Sequence, residues 1–186
     1  MNLGGIIMDK DLRLIDIIKN RRSIRKYSGR PVEKEKIISM VEAARLAPSA
    51  SNGQPWRFFA VSSREKLESI INATGFINKW IKTAPIIIVA CSTGGSTAHL
   101  IGQTMKGIRY DLLDLGIAVE HIVLVAAEMG LSTCWIGWFD EKKIKKILEI
   151  PRRLRVVSLL TVGYAASGFI PRKKKRLSLE EILSFK

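Results

Sequence analysis

Cysteine, acidic side chains and long apolar runs are all scarce in this chain, and each scarcity closes off a class of function. Only two cysteines occur, Cys91 and Cys134, both in apolar, strand-like surroundings. A disulfide framework needs more, and an interior pair of this kind behaves as two small hydrophobes. No apolar run approaches the roughly 18 residues that a membrane span requires. The longest unbroken one, Ala84 to Cys91, reads as a buried strand, and the stretch Ile117 to Leu131 is interrupted by Glu120, His121 and Glu128. The opening residues, MNLGGIIMDKDLR, lack the basic start, long apolar middle and cleavage site of a signal peptide. A cytoplasmic protein is expected, with no membrane segment.

Several catalytic signatures are missing as well. No G-x-G-x-x-G follows a strand. Gly102 to Gly107 has the two glycines of a phosphate loop, but Ile108-Arg109 stands where Lys-Ser or Lys-Thr is needed to hold the terminal phosphate and magnesium. His99 and His121 have no metal-ligand spacing to each other or to the cysteines, and His121 reads as a packed or capped helix residue. A G-x-S-x-G elbow for a nucleophilic serine is absent.

What remains is basic and well patterned. The 186 residues suit one domain, and 47% hydrophobic content is enough for a real core. Thirty-one Lys and Arg face 17 Asp and Glu, a formal charge of +14 that suits anionic partners: nucleic acid, a membrane surface or phosphorylated small molecules. Lysine-rich surfaces also arise in heat-adapted proteins without any binding role.

Apolar spacing predicts a helix over 12–21 with Leu14, Ile17 and Ile18 inward, and a second from Glu33 to Ala47 with Ile37, Ile38, Val41, Ala44 and Leu46 inward. Strands are expected over Arg57–Ser62, Pro85–Cys91 and Arg155–Tyr164, with Ser132–Trp138 extended. Ser63 and Asp140 are placed to cap helices. Tyr110–Met129 is the longest and most apolar helix. The Gly-, Ser- and Thr-rich start of Thr93–Gly107 suggests a mobile connection, and Ser178 to Glu181 is a capping box for a last short helix. Helices and strands mix without strict alternation, which favours an α+β layered fold over a doubly wound one.

Three segments offer binding chemistry. Arg21, Arg22, Ser23 and Arg25 place three guanidinium groups and a hydroxyl just past a helix end, where they could hold phosphate or simply complement the helix dipole. Lys174, Lys175 and Arg176, before the capping box, form a second possible clamp or a solvated basic tail. Between them lies Ala47 to Trp56, APSASNGQPW, uncharged yet rich in amides and hydroxyls. Such a loop can pair with a flat ring that carries both donors and acceptors, or merely join a helix to a strand.

In order, RRSIRKY, APSASNGQPW, GLSTCWIGWF and KKRLSLEEI resemble the nitroreductase-like family of flavin enzymes over about residues 12–183. The resemblance implies an α+β homodimer, a central mixed or antiparallel sheet flanked by helices, with one FMN at each of two subunit-interface sites. It implies a ping-pong cycle in which hydride passes from NADH or NADPH to a nitroaromatic, quinone or related small acceptor. Residues 1–186 would form one FMN-binding domain, with 1–11 as an N-terminal extension and 171–186 as a C-terminal arm.

Carried over by position, Arg21, Arg22, Ser23 and Arg25 match the motif that grips the phosphate and the N1/O2 edge of the ring. Pro48, Ser49, Ala50, Asn52 and Gln54 match the loop that meets flavin, partly across the dimer interface. Trp135, Ile136 and Gly137 match the segment beside the ring, whose backbone amide faces N5. Lys174 and Arg176 match the closing phosphate clamp, and Asn78 a ring-contacting asparagine. The cofactor carries the chemistry, so no protein acid–base pair is singled out. Two readings stand beside this one. The first is a flavin-binding sensor or storage protein without turnover. The second is a basic nucleic-acid-binding protein using Lys142, Lys143, Lys145, Lys146, Arg152, Arg153 and Arg155. The absence of aromatic residues among those cations counts against nucleic acid.

Overall fold

Two strands with no polar face organise the molecule. The computed structural model describes residues 14–170 and 175–186, apart from the side chains of Ile77 and Ala98. The expected extension 1–11, the first residues of the opening helix, and Arg172 to Lys174 lie outside the described residues. In chain order the elements are α1 (Leu14–Asn20), α2 (Lys34–Arg45), β1 (Trp56–Val61), α3 (Arg64–Ala73), β2 (Ile86–Ser92), α4 (Thr97–Lys106), α5 (Tyr110–Glu128), β3 (Ser132–Ile136), α6 (Glu141–Leu148), β4 (Arg155–Gly163) and α7 (Leu179–Ile182). Short 3-10 segments cover Ala50–Asn52 and Phe76–Thr83.

The sheet order is β1-β2-β4-β3, with every neighbouring pair antiparallel. Successive side chains of a strand point to opposite faces, so the two central strands feed two cores. Ile86, Ile88, Ala90, Leu160 and Val162 pack with Leu115, Ala118 and Ile122 of α5 and with Met40 and Ala44 of α2. Ile87, Val89, Cys91 and Leu159 pack on the other face with Ile70 of α3 and Ile144 of α6. The result is the expected α+β layered fold, and the sheet is antiparallel rather than mixed. Among the described residues no helix is long and apolar enough to cross a membrane.

Two sequence expectations need correction. Thr93–Gly107 is not simply a connection: it contains α4, started by a capping box between Ser96 and His99 and stopped at Gly107, whose φ of 67° lies in the left-handed region. The inner faces of the first helices are also narrower than their periodicity suggests. Ile17, Met40 and Ala44 are buried, whereas Leu14, Ile18, Ile38 and Leu46 are exposed. Asp140 does cap α6, accepting from the Lys143 amide at 3.0 Å. Ser63 occupies its N-cap position without a side-chain cap bond.

Asp111, in the first turn of α5, is a buried anchor. It accepts two bonds from Arg109, at 2.8 and 2.7 Å, and one from the Ser92 hydroxyl at 2.6 Å. The Arg109 guanidinium is the largest cause that holds its carboxyl down at about 2, from an ordinary 3.8. A depressed carboxylate stabilises the fold above its unfolded value and loses that contribution as the pH falls through the folded value. Asp111→Asn is therefore expected to destabilise the protein by about 2 kcal/mol near neutral pH. Urea unfolding of both proteins between about pH 6 and pH 2 should show that difference shrinking towards zero.

Candidate functional site

The first cationic motif docks onto the outer edge of β3. Ser23 forms a parallel bridge with Thr133, and the Ile24 amide donates to the Thr133 carbonyl at 3.0 Å. Tyr27 fixes the far end of this segment. Its hydroxyl lies 2.7 Å from Thr161 Oγ1, which in turn donates to the Cys134 carbonyl at 3.1 Å. Beneath the motif is a cavity of about 350 Å³ bordered by Asn20, Arg21, Arg22, Ser132 and Thr133. Arg21 faces α5, where its charge acts against the burial that raises the Glu120 carboxyl. Arg22 folds back, donating to the carbonyls of Lys19 and Arg21. Arg25 sits over the Trp80 ring, 5.9 Å from its centroid.

The same strand carries Trp135 and Ile136, and Gly137 follows its end. Ile136 is buried in the second core, while Trp135 is partly exposed and Gly137 is exposed. Asn78 reaches this segment from the other side, its Nδ2 donating to the Trp138 carbonyl at 3.2 Å and to the Thr74 carbonyl at 3.4 Å. One short stretch, 132–138, thus gathers Ser23, the ring-side residues and Asn78. The amide of Asn78 spends its hydrogen bonds on backbone carbonyls, so it braces the segment.

The polar loop has unusual backbone. Ser51, Asn52 and Gln54 have φ values of 50°, 53° and 45°, a region that costs a non-glycine residue free energy and clusters at functional sites. Local bonds hold it: the Gln54 amide donates to Ser49 Oγ at 3.0 Å, and Gln54 Nε2 to Asn52 Oδ1 at 3.2 Å. From outside the loop, the Ala50 amide donates to Asp114 Oδ2 of α5 at 3.0 Å. Pro48 follows α2 and separates it from the loop.

Within one chain, the loop and the arginine motif are not brought together. The loop leads into β1 and the motif lies against β3, and these strands are opposite edges of the sheet, about 14 Å apart at the usual strand spacing. Asp114 anchors the loop near one end of α5, and Ala127 borders the arginine cavity near the other, roughly 20 Å away along the axis. Arg176 lies on an exposed segment and Lys174 lies outside the described residues.

Other chemistry is accounted for. Burial pushes the Cys91 thiol up to about 12, which leaves it inert. His121 Nδ1 is 3.0 Å from the Ala43 carbonyl, a packing contact between helices. Lys142, Lys145 and Lys146 of α6 line an open cavity with Arg152; Lys145 pairs with Glu141 at 2.9 Å, and Lys143, outside that cavity, with Asp140 at 3.5 Å. Sequence spacing missed Thr133, His99 and Asp114. The Ser96-x-x-His99 spacing at a helix start was the one signal that could have flagged His99.

The profile described as "Nitroreductase family" matches residues 18–164, and the chain belongs to that family. A nitroreductase family protein from Clostridium novyi NT is 33% identical, with a TM-score of 0.76, covering 84% of this chain and 87% of that one. An FMN-dependent nitroreductase from Clostridium difficile R20291 is 29% identical, with a TM-score of 0.75, covering 92% of this chain and 98% of that one. The FMN reductase (NAD(P)H) of Bacillus subtilis is 27% identical over 181 residues, 91% of this chain and 72% of that protein.

Proposed function

We propose that this protein is an FMN-dependent oxidoreductase that takes hydride from NADH or NADPH and passes it to a small acceptor such as a nitroaromatic or a quinone. The observation that carries this reading is the docking of Arg21–Arg25 onto β3 at Thr133, on the strand that runs on through Trp135 and Ile136. That docking sets Arg21 and Arg22 on the border of a cavity shared with Ser132 and Thr133 of β3. Such a site suits a ligand with an anionic tail and a flat polar ring. Family membership and the FMN-dependent relative support the same choice.

The residues fit the group. Arg21, Arg22 and Ser23, with Lys174 and Arg176 from the C-terminal arm, would hold the phosphate, and Arg25 would lie toward the N1/O2 edge. The 135–137 backbone would line one ring face, and Ser49, Ala50, Asn52 and Gln54 would supply polar contacts. FMN, when bound, supplies the two-electron hydride chemistry. The chain's own work is to orient the ring, place positive charge where negative charge develops and exclude water.

A complete site then needs two copies, because one chain holds the loop and the arginines at opposite sheet edges. A homodimer supplies the loop of one copy to the arginines of the other. Exposed apolar side chains on α1 and α4, among them Leu14, Ile18, Leu100, Ile101 and Met105, offer surface for such an interface. The chain 1–186 serves as one FMN-binding domain, with residues 171–186 as an arm.

The purified protein is expected to be yellow and to bleach anaerobically when mixed with NADH or NADPH in a stopped-flow instrument. Colour should return on addition of a nitroaromatic or quinone. A yellow protein whose colour neither nucleotide changes would instead be a flavin-binding protein without turnover, and a colourless one that FMN cannot restore would overturn the reading altogether.

A further inference from the structure

His99 is the least expected residue in the molecule, a fully buried imidazole wedged between three segments. The Ser96 amide donates to its Nδ1 at 3.2 Å, and Ser96 Oγ lies 2.9 Å from the same atom. A ring nitrogen that accepts from a backbone amide carries no proton, so the proton sits on Nε2. Nε2 then donates to Asp114 Oδ2 at 2.8 Å. That same oxygen accepts from the Ala50 amide at 3.0 Å, at the start of the left-handed backbone of the polar loop.

The ring is also clamped by shape. A Cβ at Gly53 would come 2.3 Å from His99 Cε1, and one at Gly95 would come 2.4 Å from Cγ. Only glycine fits on either side, so loop and ring are in direct contact as well as linked through Asp114. The imidazole can neither rotate nor leave without displacing the loop. Asp114 in turn stands on α5, the most deeply buried helix.

We propose that His99 and Asp114 are positioning residues for the cofactor loop: they hold Ala50–Gln54 in its strained backbone so that its polar groups are already aimed at flavin. This rests on the FMN-binding reading above. A preorganised loop binds more tightly because its ordering cost is met on folding rather than on binding. Ser96, His99 and Asp114 resemble a nucleophilic triad only in composition: His99 and Asp114 are buried, and Oδ2 is occupied by a backbone amide, so the set holds structure.

The test uses the full-length protein freed of flavin, the variants His99→Leu, His99→Gln and Asp114→Ala, and two readouts. Flavin fluorescence quenching gives FMN affinity, and hydrogen exchange followed by mass spectrometry gives the order of residues 49–55. His99→Leu and Asp114→Ala should each weaken FMN binding at least tenfold and speed exchange in 49–55, with exchange across β2 and β4 unchanged. Combined, they should cost little more than either alone, because both break one linkage. His99→Gln, whose amide can replace Nε2, should bind within about threefold of wild type. A folded His99→Leu protein with wild-type affinity and wild-type exchange in 49–55 would overturn the proposal. If His99→Leu does not fold, Asp114→Ala decides by the same two readouts. Wild-type protein that fails to bind FMN would sink the functional reading instead, and the exchange result would still report whether His99 orders the loop.

Discussion

Replacing Arg22 and Arg176 together by alanine is expected to cost roughly 3–6 kcal/mol of FMN affinity, since each charge-assisted contact contributes about 1.5–3 kcal/mol. That corresponds to a loss of about a hundredfold to ten-thousandfold, enough to yield colourless protein after a desalting column. Arg22 makes two bonds to carbonyls at the end of α1, so its single substitution should also loosen that helix end slightly. Arg176 is exposed on the C-terminal arm, and its loss should leave the melting temperature of the flavin-free protein unchanged. Equilibrium dialysis with FMN at low and high salt checks the result, because paired charges at an open site weaken as salt rises. A double variant as yellow as its parent would mean that the phosphate lies elsewhere. Screening by salt should also be steeper in wild type than in the variant.

The sequence and the structure agree where periodicity acts alone and diverge where a partner or a long-range bond intervenes. β2 was legible because its apolar run Ile86–Cys91 is short and rich in β-branched residues, and β4 because its valines and leucines are interrupted only by Ser158 and Thr161. α5 was legible because its apolar residues continue over a span far longer than a strand, up to Gly130. Ile38, Leu46, Leu14 and Ile18 follow helical spacing yet face outward. Spacing counts apolar side chains but does not say which surface covers them, and under the dimer reading part of that surface is a second copy. α4 was hidden because its start is rich in Gly, Ser and Thr and its apolar residues Leu100, Ile101 and Met105 do not face the core. What holds it is the Ser96–His99 capping box and the bond from His99 to Asp114, fifteen residues along the chain. The order of motifs pointed to the cofactor, but no local pattern could reveal that the loop and the arginines lie at opposite sheet edges, since that depends on strand order.

Strand order also decides where the fold is most easily broken. β4 is flanked by β2 and β3, and Leu160 on it is fully buried opposite Trp135 of β3 and Ile88 of β2. Its side chain belongs to the core shared with Leu115, Ala118 and Ile122 of α5. Leu160→Ala removes that packing and leaves a void that a central strand between two neighbours cannot close, so a loss of about 3–5 kcal/mol is expected. Domains of this kind have only about 5–15 kcal/mol in total, and the variant should unfold at a much lower urea concentration with an unchanged slope. Leu46→Ala is the control: Leu46 is exposed just past α2, and its substitution should move the monomer's stability by no more than about 0.5 kcal/mol. Equal losses from the two substitutions would mean that the layers do not meet at β4 as described. Because α5 also carries Asp114, the Leu160 cavity should loosen the anchor of the cofactor loop, so FMN retention is expected to fall in Leu160→Ala at temperatures where most of the protein is still folded.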